Sequence, residues 1–490
     1  MAIKTRDDYL SALRQLRPNI YKFGELIEDV TTHPATKRTV ESHALNYDAA
    51  HDPELEEIYT ATSIFSGAKV LRWNSMMQEP QDLIMNMRMK RQNYRRTSSC
   101  TGAVCVGWNA MNVMWAVSSE IDQEHGTDYQ ARLKNWILTA EERGITVAGA
   151  LTDAKGNRSL KPSEQPDPDT NLRVVEVRDD GIVIRGAKLM ICGTAASQEI
   201  FLLPGGIYGE ADKDYAVACV VPRDIEGLTI VEATRPSDRR ELEDTADVET
   251  PDTGITQGWL LFEDVFVPGE RVFMCREAKY SAKFIQYFTA NYRACIGACV
   301  GGQGDVMIGA SVLMARANGL SAKTFADKLT SMSINNTITY GLGAGAIALG
   351  FKHPSGSYFA DPHTAHANKV MVATLPYEVK RLTQEIGGGI VETGCMPSYK
   401  DFINPQYGPL IQKCLKAGAG SAESRFKAAR LSEWLTIGAG VPGCMHGGGS
   451  PDGAKLVVRA TTPLEEYANY AKKIINIEEE IAEPQKKLKN

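Results

Sequence analysis

The sequence predicts an α+β protein in which an N-terminal helical domain (residues 1–143) is followed by a middle antiparallel β domain (144–275) and a C-terminal helical domain (276–490). Two observations support this order. Apolar residues recur at three- and four-residue intervals in the outer parts of the chain, whereas short β-branched runs fill the middle. Helices and strands that are segregated along the chain are typical of α+β proteins.

The composition is that of an ordinary globular protein of 490 residues, long enough for a large core. Its 54 basic and 60 acidic residues give a net charge of -6. This balance argues against a nucleic-acid-binding or membrane-surface protein. No uninterrupted apolar run approaches the roughly 18 residues that a membrane span needs, and the N-terminus has no apolar signal segment. We therefore expect a cytoplasmic protein.

The N-terminal region contains helical patterns in DYLSALRQL and PQDLIMNMRMKRQNY. The segment 104–121 is apolar around most of its circumference, which predicts a buried helix with Cys105 in its first turn. In the middle region, Asp179-Asp180-Gly181 lies between two strand-like runs and predicts a hairpin. Seven strands are predicted there, in the segments ITVAGALT, LRVVEVRDD, GIVIRGAKLMICG, EIFLLPG, YAVACVVP, LTIVEA and WLLFEDVFVP.

After Pro268 the helical pattern returns and includes the stretch YRACIGACVGGQGDVMIG, from Tyr292 to Gly309. On a helix, Cys295 and Cys299 would share one face, one turn apart. A second pair, Cys100 and Cys105, lies upstream. Four thiolates suit zinc or an iron–sulfur cluster, although these spacings are not those of zinc fingers. The alternative is that all are core thiols, as predicted for Cys192, Cys219, Cys275, Cys395 and Cys414.

Two segments of the middle region carry small and polar residues suited to a ligand. The loop 151–159, LTDAKGNRS, groups hydroxyl, ammonium and guanidinium donors around a glycine, as required to bind a phosphate or a polar ring edge. A solvated loop is the alternative. The segment 192–197, CGTAAS, follows a strand and would let a flat ring approach the backbone. Its alternative is a β-bulge.

Glycine clusters occur twice in the C-terminal region. Those at 387–389 follow a helical pattern and are explained equally well by a helix C-cap. In the stretch HGGGSP, residues 446–451, three consecutive glycines indicate close approach to a ligand. His353, His363 and His366 are predicted to lie in a polar surface loop, with metal binding as the alternative.

Eight segments together resemble the 4-hydroxyphenylacetate 3-hydroxylase family, and within it the 4-hydroxybutyryl-CoA dehydratase branch. They are KFGELI, LTDAKGNRSLKPS, DDGIVIRGAK, ADKDYAV, FEDVFVP, GACVGGQGDVMIGA, LPYEVKRL and MHGGGSP. The resemblance implies a fold similar to acyl-CoA dehydrogenases, a homotetramer and bound FAD. It also implies a [4Fe-4S] cluster held by three cysteines and one histidine.

The resemblance assigns flavin contacts to the 151–159 loop, to the 192–197 segment and to the late glycine loop. It further implies that residues near the 387–389 glycines reach a neighbouring subunit's cofactor. The complete set of predicted cofactor-binding residues is Thr152, Lys155, Gly156, Asn157, Arg158, Ser159, Gly193, Thr194, Gln384, Gly387, Gly388, Gly447 and Gly448.

The cluster positions match the branch only in part. Cys105 and Cys299 stand where two of its cysteines are expected, Cys100 is displaced by one residue, and Tyr292 occupies the histidine position. We predict that Cys295, one helical turn from Cys299, replaces that histidine. The predicted metal ligands are thus Cys100, Cys105, Cys295 and Cys299.

The branch's acid–base residues are also replaced. Its two glutamates fall at Gly258 and Gly443, and its tyrosine and lysine fall at Ile296 and Val300. Tyr292 and His446 are the predicted catalytic residues of this chain.

These features predict an FAD-dependent lyase of the dehydratase and isomerase type, with a [4Fe-4S] cluster, acting on a hydroxyacyl-CoA or a similar small substrate. The alternative is a reduced-flavin-dependent aromatic monooxygenase without a cluster, which would require a separate flavin reductase. A third class is a flavin-binding protein that has lost its chemistry, because the expected bases are missing.

Overall fold

The computed structural model of the chain describes residues 3–98, 104–154, 156–234, 256–416, 419–437, 447–479 and 481. In the N-terminal region the helices are α1 (Arg6–Arg14), α2 (Lys37–His51), α3 (Glu56–Tyr59), α4 (Pro80–Thr97), α5 (Val106–His125) and α6 (Tyr129–Arg143). Short strands β1 (Ile20–Lys22), β2 (Glu25–Ile27), β3 (Thr60–Thr62) and β4 (Lys69–Leu71) lie between them.

The middle region contains a strand at each of the seven predicted segments and one further strand. These are β5 (Val147–Ala150), β6 (Arg173–Arg178), β7 (Gly181–Cys192), β8 (Glu199–Leu202), β9 (Val217–Pro222), β10 (Leu228–Glu232), β11 (Gln257–Pro268) and β12 (Val272–Cys275). The Asp179-Asp180 hairpin is present, since Arg178 pairs with Gly181 across β6 and β7.

The C-terminal region is helical apart from the small hairpin β13 (Phe351–Lys352) and β14 (Tyr358–Phe359). Its helices are α7 (Tyr280–Ala317), α8 (Ala326–Ala348), α9 (Pro362–Val372), α10 (Leu375–Gly387), α11 (Gly389–Glu392), α12 (Tyr399–Phe402), α13 (Gly408–Leu415), α14 (Ala422–Thr436), α15 (Pro451–Thr461) and α16 (Leu464–Ile474).

The two larger sheets are mixed, so the prediction of a purely antiparallel β domain was wrong in this respect. One sheet has the order β2-β1-β10-β11-β7-β6 and the other β12-β9-β8-β5. The pairs β1–β10 and β5–β8 are parallel. The β1–β2 hairpin from the N-terminal helical region therefore extends a sheet built mainly from the middle region.

The 38-residue helix α7 is the centre of the helical packing, against α4, α5, α8, α9, α10 and α14. Its glycines allow neighbouring helices to approach closely. A Cβ atom on Gly297 would lie 2.1 Å from the carbonyl oxygen of Thr339 in α8, and one on Gly302 would lie 2.4 Å from that of Arg91 in α4. Substitution at either glycine would therefore force the helices apart.

In the part of the chain that the structure describes, α7 is also the one helix long and apolar enough to cross a membrane. Of its most apolar window, 67% is buried inside the protein. Burial of this kind is expected for the core helix of a globular protein.

Candidate functional site

The 151–159 loop lies at the surface in this chain, with Lys155 outside the described residues. Gly156 has a φ of 45°, and a Cβ atom there would lie 2.3 Å from Oε1 of Gln165. That same oxygen accepts a hydrogen bond from the backbone N–H of Asn157 at 2.9 Å. Gln165 thus holds the turn, while Asn157, Arg158 and Ser159 are exposed and accessible to a ligand.

A buried ion pair fixes the base of this loop. Asp153 Oδ1 lies 2.6 Å from Nζ of Lys188 in β7, and both side chains are at most 5% exposed. Lys188 also donates to the carbonyl oxygens of Leu151 (3.1 Å) and Leu203 (2.8 Å). The Tyr208 hydroxyl donates to Asp153 Oδ2 at 3.1 Å. The loop is therefore anchored to β7 by charge and by hydrogen bonds.

The Gly193-Thr194 segment forms a tight turn at the end of β7, not the β-bulge considered as the alternative. Gly193 has a φ of 72°, and a 3₁₀ turn of residues 194–196 follows it. The backbone N–H of Leu189 donates to the carbonyl oxygen of Thr152 at 2.8 Å. The turn and the 151–159 loop are thus brought to the same end of β7, as a shared ligand requires.

Thr194 is buried beside a carboxylate that the sequence did not indicate. Its hydroxyl donates to Oε1 of Glu232 at 3.1 Å, and Glu232 is 4% exposed. Glu232 pairs directly with Gly258 across β10 and β11. A Cβ atom on Gly258 would lie 2.8 Å from the Thr194 hydroxyl. Because Gly258 has no side chain, the backbone of β11 lies directly beside Thr194. The carboxylate at this place is that of Glu232, on the neighbouring strand β10.

The late glycine loop rests directly on the predicted catalytic position Tyr292. A Cβ atom on Gly448, whose φ is 72°, would lie 2.7 Å from the Tyr292 ring. The Gly448 carbonyl oxygen accepts a hydrogen bond from Nε of Arg293 at 3.0 Å. The structure thereby places the loop residues Gly447 and Gly448 next to Tyr292 on α7. His446 lies outside the described residues.

Tyr292 itself is partly buried between aromatic and basic neighbours. Its ring stacks on Phe288 with centroids 5.5 Å apart, and Nζ of Lys90 lies 5.5 Å from its centroid. These contacts are consistent with two roles for Tyr292, packing within the protein and contact with a bound ligand.

The three described cysteines of the predicted ligand set are buried but differ in their surroundings. Cys295 packs in the largest hydrophobic core and donates to the carbonyl oxygen of Leu83 at 3.9 Å. Cys299 belongs to a separate small cluster with Tyr94 and other apolar residues. Burial raises the pKa of the Cys295 thiol, an effect that the charge of Lys90 partly offsets.

Cys105 is the N-cap residue immediately before α5, which begins at Val106, and does not lie inside the first turn as predicted. Cys100 lies outside the described residues. Within the described ranges, no group of three or more His, Cys, Asp or Glu side chains could hold a metal ion. The described thiols alone therefore do not fit a four-iron cluster.

The 387–389 glycines have a structural role within this chain. Gly388, with a φ of 77°, ends α10, and its N–H donates to the Gln384 carbonyl oxygen at 2.8 Å. Gly387 is buried against Val391. Gly388 is thus the C-cap residue, with a positive φ that favours glycine. Contact of Gln384, Gly387 and Gly388 with a neighbouring subunit's cofactor remains a prediction.

The three histidines assigned to a surface loop are separated and have different surroundings. Nε2 of His353 donates to the Glu120 carboxylate at 3.0 Å, because its Nδ1 accepts from the backbone N–H of Ser355. His363 forms a hydrogen bond with the Thr461 hydroxyl at 2.8 Å. His366 lies in α9 and is 3% exposed, and His353 lies in a loop but is only 8% exposed, so the prediction of a surface position was wrong for both. Two of the supposed core thiols, Cys395 and Cys414, are exposed.

The sequence did not indicate Glu232 or Arg293, which are buried polar residues beside the predicted site, and it placed the buried His366 in a surface loop. The sequence feature that could have identified them is their position along the chain. Arg293 directly follows Tyr292, and Glu232 ends a predicted strand. Taken together, the 151–159 loop and the Gly193 turn offer donors and unhindered backbone at one end of β7. These residues fit a flat, polar and phosphorylated ligand such as a flavin dinucleotide.

Comparison with known proteins places the chain in a family. Sequence models described as 4-hydroxyphenylacetate 3-hydroxylase N terminal and C terminal match residues 5–274 and 281–476. The 4-hydroxybutyryl-CoA dehydratase/vinylacetyl-CoA-Delta-isomerase of Clostridium aminobutyricum is 34% identical over 97% of this chain and 100% of its own.

Solved structures of proteins from the same family have the same fold as this chain. An oxygen-tolerant archaeal 4-hydroxybutyryl-CoA dehydratase from N. maritimus matches with a TM-score of 0.94 and 33% identity, covering 99% of this chain and 97% of the other. The oxygenase component HpaB of 4-hydroxyphenylacetate 3-monooxygenase, complexed with FAD and 4-hydroxyphenylacetate, matches with a TM-score of 0.83 and 22% identity, covering 96% and 98%. A glutaryl-coenzyme A dehydrogenase shares the fold more distantly, with a TM-score of 0.50 and 14% identity over 79% and 81%.

The dehydratase match thus exceeds the monooxygenase match in both sequence and structure. The chain belongs to the 4-hydroxyphenylacetate 3-hydroxylase family of enzymes, and within that family it is closer to the 4-hydroxybutyryl-CoA dehydratases than to the monooxygenases.

Proposed function

We propose that the protein is an FAD-dependent lyase or isomerase that acts on a hydroxyacyl-CoA or a similar small thioester. The observation that carries this proposal is the match to the Clostridium dehydratase along the entire chain, at 34% identity. A similarity of this extent covers the loop, the turn and the helix that form the candidate site, and not the fold alone.

FAD would be held by the 151–159 loop, by Gly193 and Thr194, and by Gly447 and Gly448. When bound, it would supply the one-electron or hydride chemistry that protein side chains lack. The chain's own contribution is to bind and orient. The Asp153–Lys188 pair fixes the loop, and Glu232 orients the Thr194 hydroxyl by accepting its hydrogen bond.

The [4Fe-4S] cluster is a separate part of the proposal. Its ligands would be Cys100, Cys105, Cys295 and Cys299, and it depends on Cys100. Because metal ligation requires thiolates, Cys295 would have to give up its contact with the Leu83 carbonyl. Tyr292 and His446 remain proposed catalytic residues.

We also propose a homotetramer located in the cytoplasm. The last helices support self-association, because their apolar side chains face solvent in the single chain. Leu456 in α15 and Leu464 in α16 are both 65% exposed, and Ile474 is 81% exposed. Faces of this kind are usually covered by a partner.

The monooxygenase function is the second candidate, favoured by the fold match to HpaB. It would need a reductase to supply reduced flavin, and it would leave the four thiols without a metal.

Purification under exclusion of air tests the cofactor proposals. We expect about one FAD per chain, together with about four iron and four sulfide ions per chain if the cluster is bound. A Cys295→Ala variant should then lose the iron, whereas a Cys414→Ala variant, which changes an exposed thiol, should retain it. Protein without FAD would contradict the proposed function, and FAD without iron would contradict only the cluster.

A further inference from the structure

Arg293 is a buried cation for which the described residues provide no counter-charge. It is 6% exposed, and its Nε–H donates to the Gly448 carbonyl oxygen at 3.0 Å. Within the described residues, its two terminal guanidinium nitrogens donate to no other group. A buried charge without a partner destabilises a protein.

His366 lies on α9, which packs against α7 at the level of Arg293. Asn368, in the same helix, donates to the Arg293 carbonyl oxygen at 2.9 Å. Nδ1 of His366 lies 2.5 Å from the Pro362 carbonyl oxygen and therefore carries the ring hydrogen. Nε2 is then an acceptor, and it has no hydrogen-bond partner among the described residues. Burial, and next the charge of Arg293, lower the pKa of His366 to about 4, so the ring is neutral near pH 7.

We infer that Arg293 and His366 form a pair that binds the carbonyl oxygen of an acyl-CoA thioester and accepts its α-proton. The α C–H bond breaks, its proton moves to Nε2 of His366, and its electron pair moves onto the carbonyl oxygen. The products are an enolate held by the Arg293 guanidinium and an imidazolium held by Pro362. This inference rests on the proposed function, since it assumes a thioester substrate.

The pair supplies the two elements that proton abstraction next to a carbonyl requires. A guanidinium stabilises the developing oxyanion most strongly where water is excluded, and Arg293 is almost fully buried. A neutral imidazole is the usual general base, and the hydrogen bond from its other nitrogen fixes the tautomer. The negative charge of the enolate also compensates the positive charge of Arg293. Ligand binding thus gives Arg293 a counter-charge and gives Nε2 of His366 a proton.

Binding of acetoacetyl-CoA to the FAD-loaded protein tests the inference without requiring turnover. This thioester has an acidic α-proton, and its enolate absorbs in the near ultraviolet. We expect the wild-type protein to bind it as the enolate. Arg293→Met should lower the enolate-binding constant by about 100-fold, as for the loss of one oxyanion donor. His366→Asn, which keeps a donor to Pro362 but no basic nitrogen, should abolish the enolate band.

Matched controls are Arg316→Met, on the exposed end of α7, and His363→Asn, one turn earlier in α9, which should both behave as wild type. S-ethyl-CoA, which lacks the carbonyl group, should bind equally to wild type and to Arg293→Met. Arg293→Lys should recover part of the enolate binding, whereas a folding defect would not be rescued by charge.

Three results would overturn the inference. An unchanged enolate band in Arg293→Met would remove its oxyanion role. If Arg293→Met bound S-ethyl-CoA and acetoacetyl-CoA with equally reduced affinity, Arg293 would be assigned to binding a CoA phosphate. If Arg293→Met lost FAD, Arg293 would be assigned to binding the flavin diphosphate. If no CoA compound binds to the wild type, the proposed function fails together with the inference.

Discussion

Replacing Lys188 with methionine is expected to lower the free energy of unfolding by about 3–5 kcal/mol, because the change leaves a buried carboxylate without its counter-ion. Asp153 is 5% exposed and sits 2.6 Å from the Lys188 ammonium group. The variant also loses two hydrogen bonds to the Leu151 and Leu203 carbonyl oxygens. Methionine has nearly the same volume, so the loss reflects charge and not a cavity.

Urea-induced unfolding followed by circular dichroism measures this effect. Lys213→Met is the matched control, because Lys213 pairs with Glu210 at the surface and such a pair contributes only about 0–1 kcal/mol. Since Asp153 anchors the 151–159 loop, Lys188→Met should also retain less FAD than the control. If Lys188→Met had the same urea midpoint as Lys213→Met, the buried Asp153–Lys188 pair would not hold the loop.

Replacing Asp305 with asparagine is expected to cost about 2–3 kcal/mol at pH 7, with a loss that disappears in acid. Asp305 in α7 accepts two hydrogen bonds from Arg91, each 2.8 Å long, and one from Arg95 at 2.6 Å, both in α4. Asn336 in α8 donates to it at 2.8 Å. One half-buried carboxylate thus connects three helices around the centre of the fold.

The pH dependence follows from the direction of the pKa shift. Burial alone would raise the pKa of Asp305, but the hydrogen bonds from Arg91 and Arg95 outweigh it and lower the pKa. The stabilisation is therefore fully present above the pKa of the unfolded state, about 3.9, and is lost as the pH falls through the folded-state pKa. Wild type and Asp305→Asn should differ in urea midpoint at pH 7, and the difference should shrink in acid as the pH falls through the folded-state pKa.

Asp452→Asn provides the control, because the Asp452 side chain is 86% exposed and forms a surface ion pair with Lys455. Its midpoint should stay close to that of wild type at both pH values. A difference between wild type and Asp305→Asn that persists unchanged in acid would mean that the interaction is not ionic.

Local sequence patterns were sufficient for the strands and hairpin of the middle region and for the helices that pack around α7. Each depends on periodicity or turn chemistry within about ten residues. The β1–β2 hairpin was missed because its strands are three residues long and its partner, β10, lies about 200 residues away. Parallel pairing has no short-range sequence signal, so the mixed character of the sheets was missed for the same reason.

The candidate site was predicted better in its backbone than in its side chains. Gly193 and Gly448 are identifiable because positive φ values favour glycine, and both adopt them. The roles of Glu232, Arg293 and His366 depend on burial and on neighbours from distant segments. No single sequence shows that a guanidinium lacks a counter-ion. The expectation that the bases were lost was drawn from sequence positions alone. It could not foresee the buried carboxylate Glu232 on an adjacent strand, or His366 on α9, which we propose as a base.

The most direct test of the account is to incubate the FAD-loaded protein, without air, with 4-hydroxybutyryl-CoA and to follow the thioester by mass spectrometry. We predict a product lighter by one water, an unsaturated four-carbon CoA thioester, formed by wild type and by Arg316→Met but not by Arg293→Met or His366→Asn. An unchanged thioester, together with hydroxylation of 4-hydroxyphenylacetate when reduced FAD and oxygen are supplied, would contradict the account and support a monooxygenase.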